Sequence, residues 1–231
     1  MTEQANQESA PRTPLTRERV LRTALALADE GGIEALTMRR LAQELGVEAM
    51  SLYYHVANKE EIVGGILGLA MEEVELPPAD LDWKEALRTS ATSVHDVLER
   101  HPWAAAQMMS PNRVSDARIR WMDATLGRLR QAGFSANLTH HAYHALDSHI
   151  TGSTLWNSGY ASAMRDATTT AVDFLSSLPE GEYEYLIEHV HTHLSGPDDI
   201  REFDFGLGLI LDSLERILAQ SPVNRPVSEA G

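Results

Sequence analysis

The stretch "LTMRRLAQELGVEAMSLYYHV", Leu36 to Val56, decides the fold. Leu41, Ala42, Leu45, Gly46, Val47 and Leu52 fall where a helix-turn-helix needs them. Ala42 is small enough for two helices to cross closely, Gly46 makes the tight turn, and Val47 and Leu52 pack the second helix on the first. The spacing predicts one helix from Thr37 to Gly46, with Leu41, Ala42 and Leu45 facing in, and a short one from about Ala49 to Val56. Aromatics at helical spacing are ordinarily core. Here Leu52 and Val56 already supply the packing side, so Ser51, Tyr53, Tyr54 and His55 alternate with them as candidate contacts.

Upstream, Thr16 can cap a helix in which Val20, Ala24, Leu27 and Ala28 share a face, with Leu15 stapling onto Val20; "EGG", Glu30 to Gly32, is expected to end it. Downstream, Asn58 can cap a fourth helix while Glu61 reaches back, and Glu60 and Glu61 suit the positive end of the helix dipole. The break "ELPPADLDW", Glu75 to Trp83, removes backbone donors at two adjacent prolines and is expected to separate two domains, 15–75 and 76–220. Beyond it, helical spacing continues over Lys84 to Arg100, Trp103 to Met109, Val114 to Ala132, Ala136 to Asn157, Glu182 to Leu194 and Asp198 to Gln220. Residues 159–181 are poor in helix signals and are expected to be loose; 1–14 and 221–231 are expected to be disordered tails. Useful strand alternation is missing, so the expectation is all-α.

The 231 residues carry a formal charge of -15, which at first sight argues against nucleic acid as a partner. Its distribution argues the other way. From Arg12 to Lys59 there are seven Arg/Lys and six Asp/Glu, a net of +1; from Glu60 onward there are twelve against twenty-six, a net of -14. The first sixty residues therefore form an electrostatically distinct unit. The absence of cysteine excludes disulfides and thiolate metal sites. The polar start and the shortness of the longest apolar run, Ile62 to Met71, lead us to expect a soluble, cytoplasmic protein with no membrane partner.

With these residues in register, the stretch from Leu15 to about Ile66 resembles the DNA-binding domain of the tetracycline-repressor (TetR) family, most specifically through "TMRRLAQELGVEAMSLYYHVANKEEIV". "RHPWAAAQMM", "LRQAGFS" and "DFGLGLILDSLERIL" resemble that family's regulatory domain. The resemblance implies a homodimer that sets two short reading helices against a palindromic double-stranded operator. It implies roles for Arg39 on base or phosphate, for Ala49, Met50 and Ser51 at the leading end of the reading helix, for Tyr53, Tyr54 and His55 on its exposed side, and for Lys59 on phosphate; Thr37 and Arg40 complete the expected contact set. An Arg fork suits guanine, a Tyr hydroxyl suits phosphate, and helix N-termini attract anions. Ala49-Met50 stands where the tetracycline repressor has Gln-Pro, and offers apolar contact to a thymine methyl in place of an amide reading adenine. A different operator follows.

The resemblance also implies a small-molecule pocket in the second domain, near Ser90, Val94, Met108, Trp121, Met122, Thr125, Asp147 and Trp156. Met108 and Trp156 occupy the places of a histidine and a glutamate that help hold the drug's magnesium in the tetracycline repressor; neither is a magnesium ligand. The expected effector is therefore apolar or aromatic, and no cofactor or resident metal is expected. His140, His144 and Asp147, at i, i+4 and i+7, are the strongest alternative, as ligands of a metal-dependent hydrolase. His141 follows His140 where a zincin would need a Glu base, which weakens that alternative. A further alternative is an effector-binding dimer without DNA binding. The main expectation is a ligand-responsive repressor, not an enzyme, dimerising through helices around Asn137 to Trp156 and Asp198 to Gln220; in the latter, Phe205, Leu209, Asp212 and Arg216 share a face beside Leu207, Leu211 and Leu214.

Overall fold

Apart from one short helix, every helix that begins in the first sixty residues opens on a side chain suited to cap it. The structure is a computed structural model that describes residues 14–76, 80–110, 114–164, 175, 177–179, 181–194 and 201–220, the backbone alone over 158–164 and 193–194. Thr16 Oγ1 accepts from the Arg19 amide at 3.2 Å to open α1, Arg17–Ala35. Thr37 Oγ1 accepts from Arg40 N at 3.1 Å to open α2, Met38–Leu45. Gly46, at φ 68°, closes α2 with its N–H on the Ala42 and Gln43 carbonyls; this left-handed position favours glycine because other residues crowd their Cβ there. Ala49–Leu52 is α3 and Lys59–Glu72 is α4, opened by Asn58 Oδ1 accepting from Glu61 N at 2.8 Å.

The "EGG" stop holds in part: Gly32, at φ 75°, leaves the helical region and ends the regular helix, and one further short turn carries the chain to Ala35. One correction to the sequence expectation arises here. The α3 helix is half the expected length, because after Leu52 the backbone tightens into turns, with Tyr53 N on Met50 O and His55 N on Leu52 O.

By compactness the chain divides into two units between Ile66 and Leu67, inside α4 and upstream of the Glu75–Trp83 break. In the first unit Val20, Leu21, Ala24, Leu27, Leu41, Ala42, Leu45, Leu52, Val56 and Ile62 are buried together. Each fully buried aliphatic side chain there contributes roughly 1.5–3 kcal/mol of transfer free energy. Gly65 of α4 makes room for Leu21, since a Cβ there would lie 2.7 Å from a Leu21 methyl.

The second unit builds on α5 Trp83–Arg100, α6 Pro102–Met108, α7 Asp116–Gln131, α8 Ala136–Met164, α9 Glu184–Leu194 and α10 Glu202–Gln220. Helix α8 packs against α5, α6, α7 and α10. Asp82 caps α5 and Ser115 caps α7 through their side chains. At the end of α7, Gly133 takes φ 98° and Phe134 N bonds Leu129 O at 3.1 Å, burying the Phe134 ring edge-on to Trp83 at 5.1 Å. Helix α8 runs past the expected end at Asn157 to Met164, the run "YASAM" being compatible with helix despite Gly159. Of the segment expected to be loose, 165–174, 176 and 180 lie outside the described residues; so do residues 198–200 of the last expected helix, and both expected tails except Pro14. No strand occurs among the described residues, and no helix among them is long and apolar enough to cross a membrane.

Candidate functional site

The face of the first unit that carries the expected contacts is built from α2, α3 and the turn after it. Leu52 and Val56 are buried, and the residues around them point away from the core: Met50 is 71% exposed, Tyr53 48% and Tyr54 89%. Ala49 is exposed, and Ser51 and His55 are half-buried. Arg39 is exposed on α2 and forms no ion pair among the described residues. Three expected contact residues already have structural partners. Thr37 caps α2; Arg40 Nη2 lies 2.6 Å from Glu30 Oε2; Lys59 Nζ donates to the Ile33 carbonyl at 3.1 Å, on the turn that follows the Gly32 break.

The cap of α4 is tied to α1. Glu61 Oε2 accepts from Ala57 N at 2.7 Å and Glu61 Oε1 pairs with Arg17 at 3.2 Å. The Ala57 amide hydrogen bond, aided by Arg17 and opposed by burial, holds the Glu61 carboxyl below its ordinary range.

In the second unit a cavity of about 250 Å3 is bordered by Leu67, Met71, Met108, Met109, Val114 and Met122 on its apolar side. Its polar side carries Ser110, Arg118, Tyr143, His144 and Asp147. Arg118 Nη2 donates to Asp147 Oδ1 and, at 3.3 Å, to the Tyr143 hydroxyl; its guanidinium also lies 4.6 Å from the Trp121 ring centroid. Burial raises the Tyr143 phenol above its ordinary range, so at neutral pH it is a donor. An apolar wall closed by a few fixed polar groups is what a small-molecule site requires.

Of the expected pocket residues, Met108, Met122 and Asp147 border this cavity. Ser90, Val94, Trp121 and Thr125 do not; they are buried side chains of the α5–α7 packing, with Trp121 Nε1 donating to Ser90 Oγ at 2.9 Å and Thr125 Oγ1 to the Trp121 carbonyl. Trp156 is 66% exposed and borders a separate groove with His149 and Phe203. Arg118 has no signal in the sequence, because its partner is twenty-nine residues away and no local pattern announces it. The hydrolase alternative loses its third ligand: Asp147 is held by Arg118, while His140 and His144 are exposed rings 4.5 Å apart.

A capped helix-turn-helix with an exposed reading face, followed by a separate helical unit with its own cavity, defines a helix-turn-helix transcription regulator. The family described as bacterial regulatory proteins, tetR family, matches residues 20–66, and the tetracyclin repressor-like C-terminal domain matches residues 76–218. The chain belongs to the TetR family. It is similar to the transcriptional repressor DrrR1 of Streptomyces coeruleorubidus, 31% identical over 91% of this chain and 81% of that one, and to the class C tetracycline repressor of Escherichia coli, 32% identical over 88% and 92%. Among solved structures it resembles ActR of Streptomyces coelicolor in complex with actinorhodin, 29% identical, covering 90% of this chain and 100% of that one at a TM-score of 0.73.

Proposed function

We propose that this protein is a homodimeric repressor that binds a palindromic operator through α2 and α3 and releases it when a small molecule enters the second unit. The observation that carries the reading is the pairing, in one chain, of an exposed Met50–Tyr53–Tyr54 face on a helix-turn-helix with a methionine-walled cavity closed by Arg118, Tyr143 and Asp147. Arg39 and Tyr54 hold backbone or base edges, and Ala49 with Met50 gives apolar contact. Helix α4 couples the two events. Its first turn is pinned to α1 through Glu61 and Lys59, while Leu67 and Met71 near its end border the cavity. A ligand that needs more room there favours a shifted α4, and can act only by preferring that state. Because two reading helices must match major grooves about 34 Å apart, a small shift costs much affinity.

The cavity favours an apolar or aromatic molecule bearing a polar group for Arg118, and the likeness to actinorhodin-bound ActR supports a small-molecule effector. The test is selection of duplexes from a random pool by the purified protein, followed by a release screen. A palindromic consensus bound by a dimer and released by an apolar or aromatic compound is expected. Failure to enrich any sequence would overturn the reading.

A further inference from the structure

Away from the reading face and the cavity, α5 carries a buried imidazole with nothing to bond. His95 is 2% exposed, and neither ring nitrogen has a hydrogen-bond partner among the described residues. Buried polar atoms are nearly always satisfied, so such a pair demands an explanation. Two carboxylates flank it. Asp96 Oδ1 lies 3.8 Å from Nδ1 and Glu99 Oε1 lies 3.8 Å from Nε2, both too far for a hydrogen bond. One ligand atom from each of the three residues can be chosen so that all lie within 4.8 Å of one another. Ligand bonds of about 2.0–2.2 Å to a shared ion set neighbouring donors roughly 3 to 4 Å apart, so an ion on Nε2 meets Glu99 directly and draws the Asp96 carboxylate in by a side-chain rotation.

We infer that His95, Asp96 and Glu99 form a binding site for a divalent transition-metal ion of the zinc class. An imidazole with two carboxylates is a donor set that such ions accept, and it leaves further coordination positions to water. Stacking fixes the orientation of the ring. Phe203 of α10 lies on it at 3.9 Å, and His149 of α8 stacks on Phe203 in turn at 5.1 Å. His95 and Glu99 share one helix face at i and i+4, and both carboxylates are about half exposed, which gives an ion a way in. Asn157 Nδ2 lies 3.5 Å from Glu99 Oε1 and orients it. The competing cation is Arg201, 3.6 Å from Asp96; it also pairs with Asp204 at 2.8 Å, so it keeps a partner when an ion takes Asp96.

The test uses full-length protein in which the other histidine clusters are removed, H140A/H144A/H189A/H191A/H193A, stripped with EDTA and titrated with ZnCl2 by calorimetry, with Co2+ as an optical probe. One ion per chain is expected, with a rise in Tm, since binding to the folded state stabilises it. Glu99→Gln and Asp96→Asn keep side-chain shape at exposed positions, and each is expected to weaken the ion by about tenfold or more. Circular dichroism of each metal-free variant confirms folding. No bound zinc, or zinc bound equally well by E99Q and D96N, overturns the site.

Discussion

Arg39 and Tyr54 are the residues at which the proposed reading is most exposed to measurement, because both project from the first unit without closing its core. Arg39→Ala is expected to lower operator affinity and reduce the slope of log affinity against log salt by about one if it holds a phosphate, as read by fluorescence anisotropy over a salt series. An unchanged affinity in both R39A and Tyr54→Ala would remove these residues from the interface. In the second unit, Ser90→Ala leaves the Trp121 N–H buried without an acceptor, and a loss of about 1–3 kcal/mol is expected by chemical denaturation. The resemblance places Ser90, Trp121 and Thr125 beside a small-molecule pocket, whereas they are buried in the α5–α7 packing away from the cavity. Residue type and spacing say which side of a helix faces in, but not whether the space there is filled by a neighbour or left open. That is decided by side chains remote in sequence, which is also why Arg118 is invisible to spacing.

Among the elements, α4 has its first turn tied down by Glu61, which accepts from Ala57 N and pairs with Arg17. The Glu61 carboxyl is held below its ordinary range, so in the unfolded chain it takes up its proton at a higher pH than in the folded one. Its contribution is full above the ordinary glutamate pKa and is lost as pH falls through the depressed folded value. Glu61→Gln is accordingly expected to flatten the acid limb of the stability profile, and an unaltered limb would show that the cap is energetically idle. Helix ends in this unit are legible wherever a cap makes them local: Thr16, Thr37, Gly46 and Asn58 all act as their types suggest. Gly46→Ala meets no neighbour within 4 Å, so its cost should be the backbone strain alone, about 1 kcal/mol. Ends without a local cap are not legible in the same way. Gly32 breaks the helix but a further turn follows it, and the α8 backbone continues past Asn157 to Met164 through residues compatible with helix.

At the scale of the molecule, the second unit exposes on α10 the face that the sequence assigns to dimerisation: Phe205 and Leu209 lie out while Leu207, Leu211 and Leu214 are buried. The double substitution F205D/L209D is expected to yield folded monomers in analytical ultracentrifugation and to abolish operator binding, since one reading head forfeits the effective concentration of the second. A variant that stays dimeric would move the interface elsewhere. The cavity wall has a consequence for what the sensor can tell apart. Met71, Met108, Met109 and Met122 are flexible thioethers that repack around different outlines, so the wall is a poor judge of shape. Discrimination is left to the Arg118, Tyr143 and Asp147 end, whose buried polar groups punish a missing partner far more than the wall punishes a missing methyl. On the proposed function, such a receptor would answer to a series of congeners that share one polar handle, giving the cell a detector for a chemical lineage in place of a single compound.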